Sequence, residues 1–444
     1  MTRTTPAPPS APGRRGLLLV GAAIVLTGLN LRTAVNSVGP VLAEIEHGLG
    51  VSSAAAGVIT TLPVLCFALL GLAGPPLAAR FRDGHVLAAA MLAMALGLVG
   101  RAVAGSFALF VLGTVAAMAG GALGNVLLPG LVKRYFPERT GLLVGAYGTS
   151  MAIGGALASG ATAGIAAGIG TDGWRWALGI WAALALVAAV PWLAVPARPG
   201  SSRGAHRSVR MRALARSRLT WAMGVMFGLQ AMQAYVIIGW TAQYLRDQGM
   251  AAATAGLLLG LNAVVVIPVN AVVPSLTVRQ RLQRPLLLLF LGCYLAGWTG
   301  LLVSPLTATW LWMSLLALGM GTFAMVLTLM GLRARTPEST AALSTVTQSW
   351  GYVLAGVGPL LVGVLRGVTG GYTGMFVLVY VAVALLLVSG WAVCRERYVD
   401  DELPGAAGPA GSRTDAAGAQ GPDVEVAGAE LPVTVSHAHR EPGA

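Results

Sequence analysis

Long apolar runs, interrupted at regular intervals by short polar or basic stretches, fill the chain from Leu17 to about residue 394. The first covers residues 17–42, after Arg14 and Arg15 and before Glu44 and Glu46. Others recur at roughly 54–79, 86–104, 107–132, 140–166 and 174–195, and then at about 219–245, 252–276, 285–303, 308–333, 339–366 and 373–394. Each approaches or exceeds the ~20 residues that an α-helix, rising 1.5 Å per residue, needs to cross a bilayer. The pattern predicts an all-α polytopic membrane protein with twelve transmembrane helices, spans 1 to 12, in two six-helix bundles. The arginine pair before the first run resembles a secretory signal, but the run is too long and lacks a small-residue cleavage site, so it reads as an uncleaved span.

Composition supports the pattern. Hydrophobic residues make up 56% of the chain, charged residues only 10%, and the mean hydropathy is +0.75, which excludes an ordinary water-soluble domain. The net charge of +13 does not indicate nucleic acid, because the bases sit in short clusters between apolar runs rather than along one solvated face. Cys66, Cys293 and Cys394 lack metal-ligand spacing and lie in or at the ends of apolar runs, so neither a disulfide framework nor a zinc site is expected, and no cofactor is implied. Lys133 is the sole lysine, and the Arg, Ala and Gly bias hints at a GC-rich bacterial genome.

The basic clusters also orient the chain. With twelve alternating spans, Arg14, Arg15, Arg80, Arg82, Lys133, Arg134, Arg139, the arginines of 197–218, Arg279, Arg281, Arg284, Arg333, Arg335, Arg395 and Arg397 fall on one side. Only Arg101, Arg175, Arg246 and Arg366 fall on the other. The positive-inside rule makes the first side cytoplasmic, with both termini there, in a multi-pass protein of the bacterial cytoplasmic membrane. The expected organisation is a disordered N-tail (1–16), an N-terminal bundle (17–196), a basic linker (197–218), a C-terminal bundle (219–394) and a disordered C-tail (395–444).

The two halves repeat. At an offset of 200, Gly28-Leu29-Asn30 meets Gly228-Leu229-Gln230, Gly39 meets Gly239, and Pro137-Glu138 meets Pro337-Glu338; at 199, Leu77–Arg82 meets Leu276–Arg281. Parallel six-helix halves joined by a cytoplasmic linker describe the major facilitator architecture, with a substrate site near the midplane between the halves. More specifically, the chain resembles the cyanate and 2-nitroimidazole transporter family (CynX/NimT type) of that superfamily. The matching stretches are Asn30-Leu31-Arg32-Thr33-Ala34, Ser37-Val38-Gly39-Pro40, Asn125-Val126-Leu127-Leu128-Pro129, Gln348, Gly351-Tyr352, Gly358-Pro359 and Gly363. The resemblance covers about residues 17–395 and implies a secondary transporter rather than an enzyme. The superfamily signature after span 2 is degraded, with Ala79 where Asp is usual and Arg82 where Gly is usual, and the proline-containing signature of drug antiporters is missing from span 5.

Arg32 carries the chemistry. An arginine inside an apolar span costs ~2.5–3.5 kcal/mol on insertion scales and normally faces a polar cavity with an opposite charge. The acids before the tail, Glu44, Glu46, Asp83, Glu138, Asp172, Asp247, Glu338 and Glu396, all lie at span ends or in loops, as do the histidines. Arg32 is thus expected to be the only ionisable group at membrane depth besides cysteine and tyrosine, and a substrate anion its missing partner. Helical spacing puts Asn36 on the face of Arg32, while Asn30 lies on a second polar stripe. Gln230, Gln233 and Trp240 are expected on one broad face of span 7, with Tyr235 on another; Gln348 and Tyr352 align in span 11. Asn125, Tyr147 and Asn262 complete the candidate substrate-binding set, and Arg80, Arg82, Arg279 and Arg281 are candidate gating groups in cytoplasmic loops.

A planar guanidinium among neutral amides and rings suits a small planar anion or a polar heteroaromatic solute, moved by alternating access. The expected partners are that solute, with a proton as a candidate co-substrate, and the lipid bilayer; the protein is expected to act as a monomer. Coupling stays open between facilitated movement, a proton carried by a weak-acid substrate, and a role for Glu44 or Glu46. A major facilitator exporter of neutral or cationic drugs is the alternative, and it predicts a cavity carboxylate that the runs lack. An intramembrane enzyme would need a nucleophile with a base, or a metal cluster, inside the runs. A transport-incompetent receptor or scaffold is the third alternative.

Overall fold

The computed structural model describes residues 14–70, 83–195, 214 and 216–402. Arg80 and Arg82, most of the 197–218 linker, the N-tail up to residue 13 and the C-tail from residue 403 lie outside the described residues. Among the described residues, eleven helices are long and apolar enough to cross a membrane, and the shorter apolar helix Ser53–Leu69 occupies the place of span 2. Spans 3, 4 and 5 are Asp83–Ala102, Phe107–Tyr135 and Thr140–Ile169; spans 7, 8 and 9 are Arg218–Asp247, Ala252–Thr277 and Gln280–Val303; spans 11 and 12 are Pro337–Thr369 and Thr373–Val393.

Span 1 is not one helix. It runs Arg14–Asn30, breaks at Leu31-Arg32, resumes over Thr33–Asn36, passes through a 3-10 turn at Gly39–Val41 and finishes as Leu42–Leu49. Pro40 explains the 3-10 turn, since its missing N–H cannot continue an α ladder. Gly50 closes the last piece in the left-handed region, at φ +62. Span 10 is also divided, into Thr309–Gly319 and Gly321–Leu332, at Met320. Span 6 divides at Ile180 between Gly173–Gly179 and Trp181–Leu193.

Between lipid-facing helices, close approach of small residues replaces hydrophobic exclusion as the source of cohesion. Gly154 of span 5 lies so close to the Leu29 carbonyl of span 1 that a Cβ could not be accommodated. Gly39 stands in the same relation to the Ile238 carbonyl of span 7, which brings the two halves together. Span 2 meets span 11 where Gly57 packs on Gly363 and where Thr61 Oγ1 donates to the Gly356 carbonyl at 3.2 Å. Gly256 and Gly260 of span 8 rest on the Ser159 and Ala156 carbonyls of span 5.

Charge closes this end of the bundle. Arg246 of span 7 grips Glu44 of span 1 with two bonds of 2.7 Å and donates to the Pro40 carbonyl at 3.1 Å. Arg366 of span 11 donates to Glu46 at 3.3 Å, to Ser53 Oγ at 3.1 Å and to Asp247 at 2.9 Å, and the Tyr372 hydroxyl donates to Asp247 at 2.7 Å. Three acids and two arginines from both halves thus form two ion-paired groups, Glu44–Arg246 and Glu46–Arg366–Asp247. At the opposite end, Arg333 is buried and donates to the Val393 carbonyl and to Gln283 Oε1 at 3.1 and 2.7 Å, while Glu402 caps the start of span 7 through Ser217 Oγ and the Leu219 N–H. Arg279 and Arg281 are exposed there.

Candidate functional site

A cavity of about 900 Å3, counting space open to solvent, lies where spans 1, 5, 7, 8, 10 and 11 converge. Two of the three helix breaks border it: Arg32 stands at the break in span 1 and Met320 at the break in span 10. Interrupted helices at a site between two halves are how this class of membrane protein exposes polar groups to a solute at depth, since irregular backbone is tolerated only where it lines a cavity.

Arg32, Asn36, Gln230, Asn262 and Tyr352 line the cavity. Arg32 is half-buried and makes no ion pair among the described residues. The Tyr235 hydroxyl is within hydrogen-bonding reach of its guanidinium, and Tyr352 lies close enough to feel the same charge. Tyr352 packs edge-on against Phe227, ring centres 5.1 Å apart, and Phe227 lies 6.1 Å from Phe323, so one wall is aromatic. The Asn36 amide donates to the Gly155 carbonyl at 3.3 Å and the Asn262 amide to the Met313 carbonyl at 3.0 Å.

Other expected positions go elsewhere. Asn30 is fully buried and donates to the carbonyls of Leu26 and Leu184, at 2.9 and 3.2 Å, tying span 1 to span 6. Gln233 is fully buried between spans 7, 9 and 12, donating to the Val379 carbonyl at 2.8 Å and accepting from Trp298 Nε1 at 2.9 Å. Trp240 donates to the Pro359 carbonyl at 3.1 Å. These three hold helices together. Gln348 bonds Ser344 at 2.6 Å, Tyr147 packs against Gly28, and Asn125 is exposed; none of them borders the cavity.

The face of span 7 differs from the expected one. Gln230, Ala231, Ala234, Tyr235 and Ile238 line the cavity, and Tyr235, expected on a different face from Gln230, lies beside Arg32. The two alanines were the available signal, because they clear space beside Gln230. Arg32 is also not alone at depth. Arg101 is fully buried, donating to the Ala34 carbonyl at 2.9 Å and to Ser37 Oγ at 2.7 Å. It pins the backbone of span 1 one turn beyond Arg32. Residues 102–104 after it are still apolar, which marked it as inside span 3 rather than beyond it.

Residues 20–359 match the family described as Major Facilitator Superfamily. The chain is 33% identical to the 2-nitroimidazole transporter of Escherichia coli (strain K12), over 87% of its length and 98% of the relative. The chain belongs to the major facilitator superfamily, in its cyanate and 2-nitroimidazole transporter family. The Escherichia coli cyanate transport protein CynX is 29% identical over 79% of this chain and 90% of its own, and an uncharacterized transporter of Bacillus subtilis (strain 168), YycB, is 35% identical over 85% and 93%. Among solved structures, a bacterial homolog of the human lysosomal transporter Spinster aligns with TM-score 0.71 over 89% of this chain and 100% of its own, at 18% identity. The D-xylose-proton symporter aligns at 0.69, with 15% identity, over 87% and 99%. This major facilitator protein is therefore a multi-pass membrane transporter of twelve-helix architecture, not an enzyme.

Proposed function

We propose that the protein moves a small, planar, anionic or weakly acidic organic solute across the bacterial cytoplasmic membrane by alternating access, with Arg32 as the charge that receives it. One observation carries this: Arg32 faces a cavity between the halves with no carboxylate among the described residues to neutralise it. A charge at membrane depth is costly unless something compensates it, and a solute anion is the compensation that leaves with each transport cycle. Asn36, Gln230, Asn262 and Tyr352 orient the solute, and the Phe323 and Tyr352 rings stack on it. The names of the two Escherichia coli relatives agree with small, planar, polar solutes.

The halves, residues 17–196 and 219–394, rock about the cavity, and the Glu44–Arg246 pair and the Glu46–Arg366–Asp247 group mark the closed end. With both termini cytoplasmic, as the basic clusters require, the closed end faces outward. The described cavity walls contain no carboxylate or histidine, so any proton travels on a weak-acid solute or through the acids of the outer network. Counterflow of labelled small organic acids into proteoliposomes tests the proposal. Arg32→Gln abolishes exchange of anions while leaving the folded protein intact, and full exchange by that variant contradicts it.

A further inference from the structure

At the end of the bundle opposite the Glu44–Arg246 pair, the start of span 9 meets the residues that follow span 12. Gln280 Nε2 donates to the Cys394 carbonyl at 2.8 Å, and the buried Arg333 donates to Gln280 and Gln283 at 3.2 and 2.7 Å. These bonds bring Arg279, Arg281 and Arg284 of one segment beside Arg395 and Arg397 of the other, and all five residues are exposed. None of the five side chains makes a hydrogen bond or an ion pair with a described residue. Glu396 is the one acid within residues 395–397, and Asp400 and Asp401 are taken by Arg335. Like charges gathered on so short a surface repel. Arg279 and Arg281 also stand at the N-cap and in the first turn of span 9, the positive end of its dipole, where no acid offsets them.

The patch borders the lipid-facing surface. The Arg284 guanidinium lies over the Trp391 ring, 4.5 Å from its centre, so the pair bridges spans 9 and 12. One turn further in, Leu287 packs on Gly390 and seals the seam, while Leu288 and Val388 are exposed. Tryptophan at a span end marks the level where headgroups meet acyl chains. A soluble anion would need only the guanidiniums. The exposed Trp391 ring and the apolar residues beneath it fit a ligand that carries chains as well as charge.

We propose that this patch binds an anionic phospholipid, whose phosphate is held by Arg279, Arg281, Arg284, Arg395 and Arg397 and whose acyl chains run past Trp391 along Leu288 and Val388. Guanidiniums match phosphate oxygens two bonds at a time. Each arginine near an anionic bilayer surface strengthens the attraction by about fivefold. The lipid offsets the repulsion and ties the start of span 9 to the end of span 12. Arg32 and the central cavity play no part in it.

The test titrates the purified full-length protein, in a neutral detergent, with phosphatidylglycerol and with phosphatidylcholine of the same chains. Bound lipid is counted by native mass spectrometry, and the melting temperature is followed in parallel. Phosphatidylglycerol binds at least about tenfold more tightly and raises the melting temperature. The double variant Arg281→Gln with Arg284→Gln lowers that preference by about tenfold or more, and Trp391→Leu weakens retention of both lipids. Arg139→Gln, at an exposed arginine outside the patch, keeps the preference. Equal affinity for the two lipids, or an equal loss in Arg139→Gln, overturns the proposal. Stabilisation to the same degree by water-soluble glycerol 3-phosphate overturns the assignment to a lipid.

Discussion

Replacing Glu44 by Gln removes one charge from the contact that closes the outward end between the halves. The native contact is bidentate, with both bonds at 2.7 Å, and the Arg246 and Glu44 side chains are 19% and 30% exposed. A unit-charge pair about 4 Å apart attracts by ~4 kcal/mol at a surface-like dielectric. Desolvation and side-chain ordering cancel most of that. Exposed pairs retain ~0–1 kcal/mol, whereas losing one partner of a buried pair costs ~3–5 kcal/mol. The intermediate exposure of this pair sets the expected penalty at ~1–2 kcal/mol, which raises the share of molecules open at this end by ~5–30-fold. Thr60 reports that opening: it is buried against Gly239 and lines a narrow crevice, with room for little more than one water, shared with Tyr235 and Ile238. In a Thr60→Cys parent, Glu44→Gln should speed alkylation by a membrane-impermeant maleimide added from outside by about tenfold, consistent with that population shift. The charge swap Glu44→Arg with Arg246→Glu should restore the slow rate. The native thiols are buried and give a low background. Labelling that does not change in Glu44→Gln would refute the gate.

Four further outcomes are expected. Arg101→Leu strands the Ala34 carbonyl and Ser37 beside the break in span 1, and should cost ~1–3 kcal/mol, read as a lower melting temperature than that of Arg101→Lys. Gly154→Ala collides with the Leu29 carbonyl and should destabilise by ~1–3 kcal/mol or more, whereas Gly164→Ala, where an added Cβ meets nothing within 4 Å, should be neutral or mildly stabilising. Trp298→Phe removes the donor to Gln233 and should lower thermal stability without abolishing anion binding, which a binding titration checks. Burial, reinforced by its bond to Asp247, raises the Tyr372 phenol above its usual value. A raised phenol keeps its donation at every pH below the ordinary tyrosine value of ~10 and loses it only above that, so the Thr60→Cys labelling rate, divided by that of an exposed cysteine to remove the titration of the thiol itself, should stay flat from neutral pH to about 9 and be higher in Tyr372→Phe.

The run lengths alone carried the spans, because lipid demands continuous apolar helices and nothing else in the chain competes with that signal. The break in span 1 was not legible: no proline or glycine stands at Leu31-Arg32 to mark it, and the segment beyond it is held by Arg101 reaching across from span 3 to the Ala34 carbonyl. Arg32 stood out by charge, and Asn36 and Gln230 by position. Asn30, Gln233 and Trp240 looked the same in the sequence, yet each found a backbone carbonyl on a neighbouring helix. In a bilayer, an amide at depth can line a cavity, tie helices together or, like Asn36 and Asn262, do both, and one chain's pattern does not separate the roles. Tyr235 was misassigned because the cavity face of span 7 is set by Ala231 and Ala234, whose small size admits space rather than announcing polarity.

Ligand-dependent melting of the purified protein tests the role of Arg32 most directly. Small planar organic anions, neutral amides of the same size and lipophilic cations are titrated against the native chain and Arg32→Gln. Stabilisation by the anions alone, erased in Arg32→Gln, is the predicted result. Stabilisation by the cations alone, or an anion effect that survives the substitution, contradicts the role assigned to Arg32.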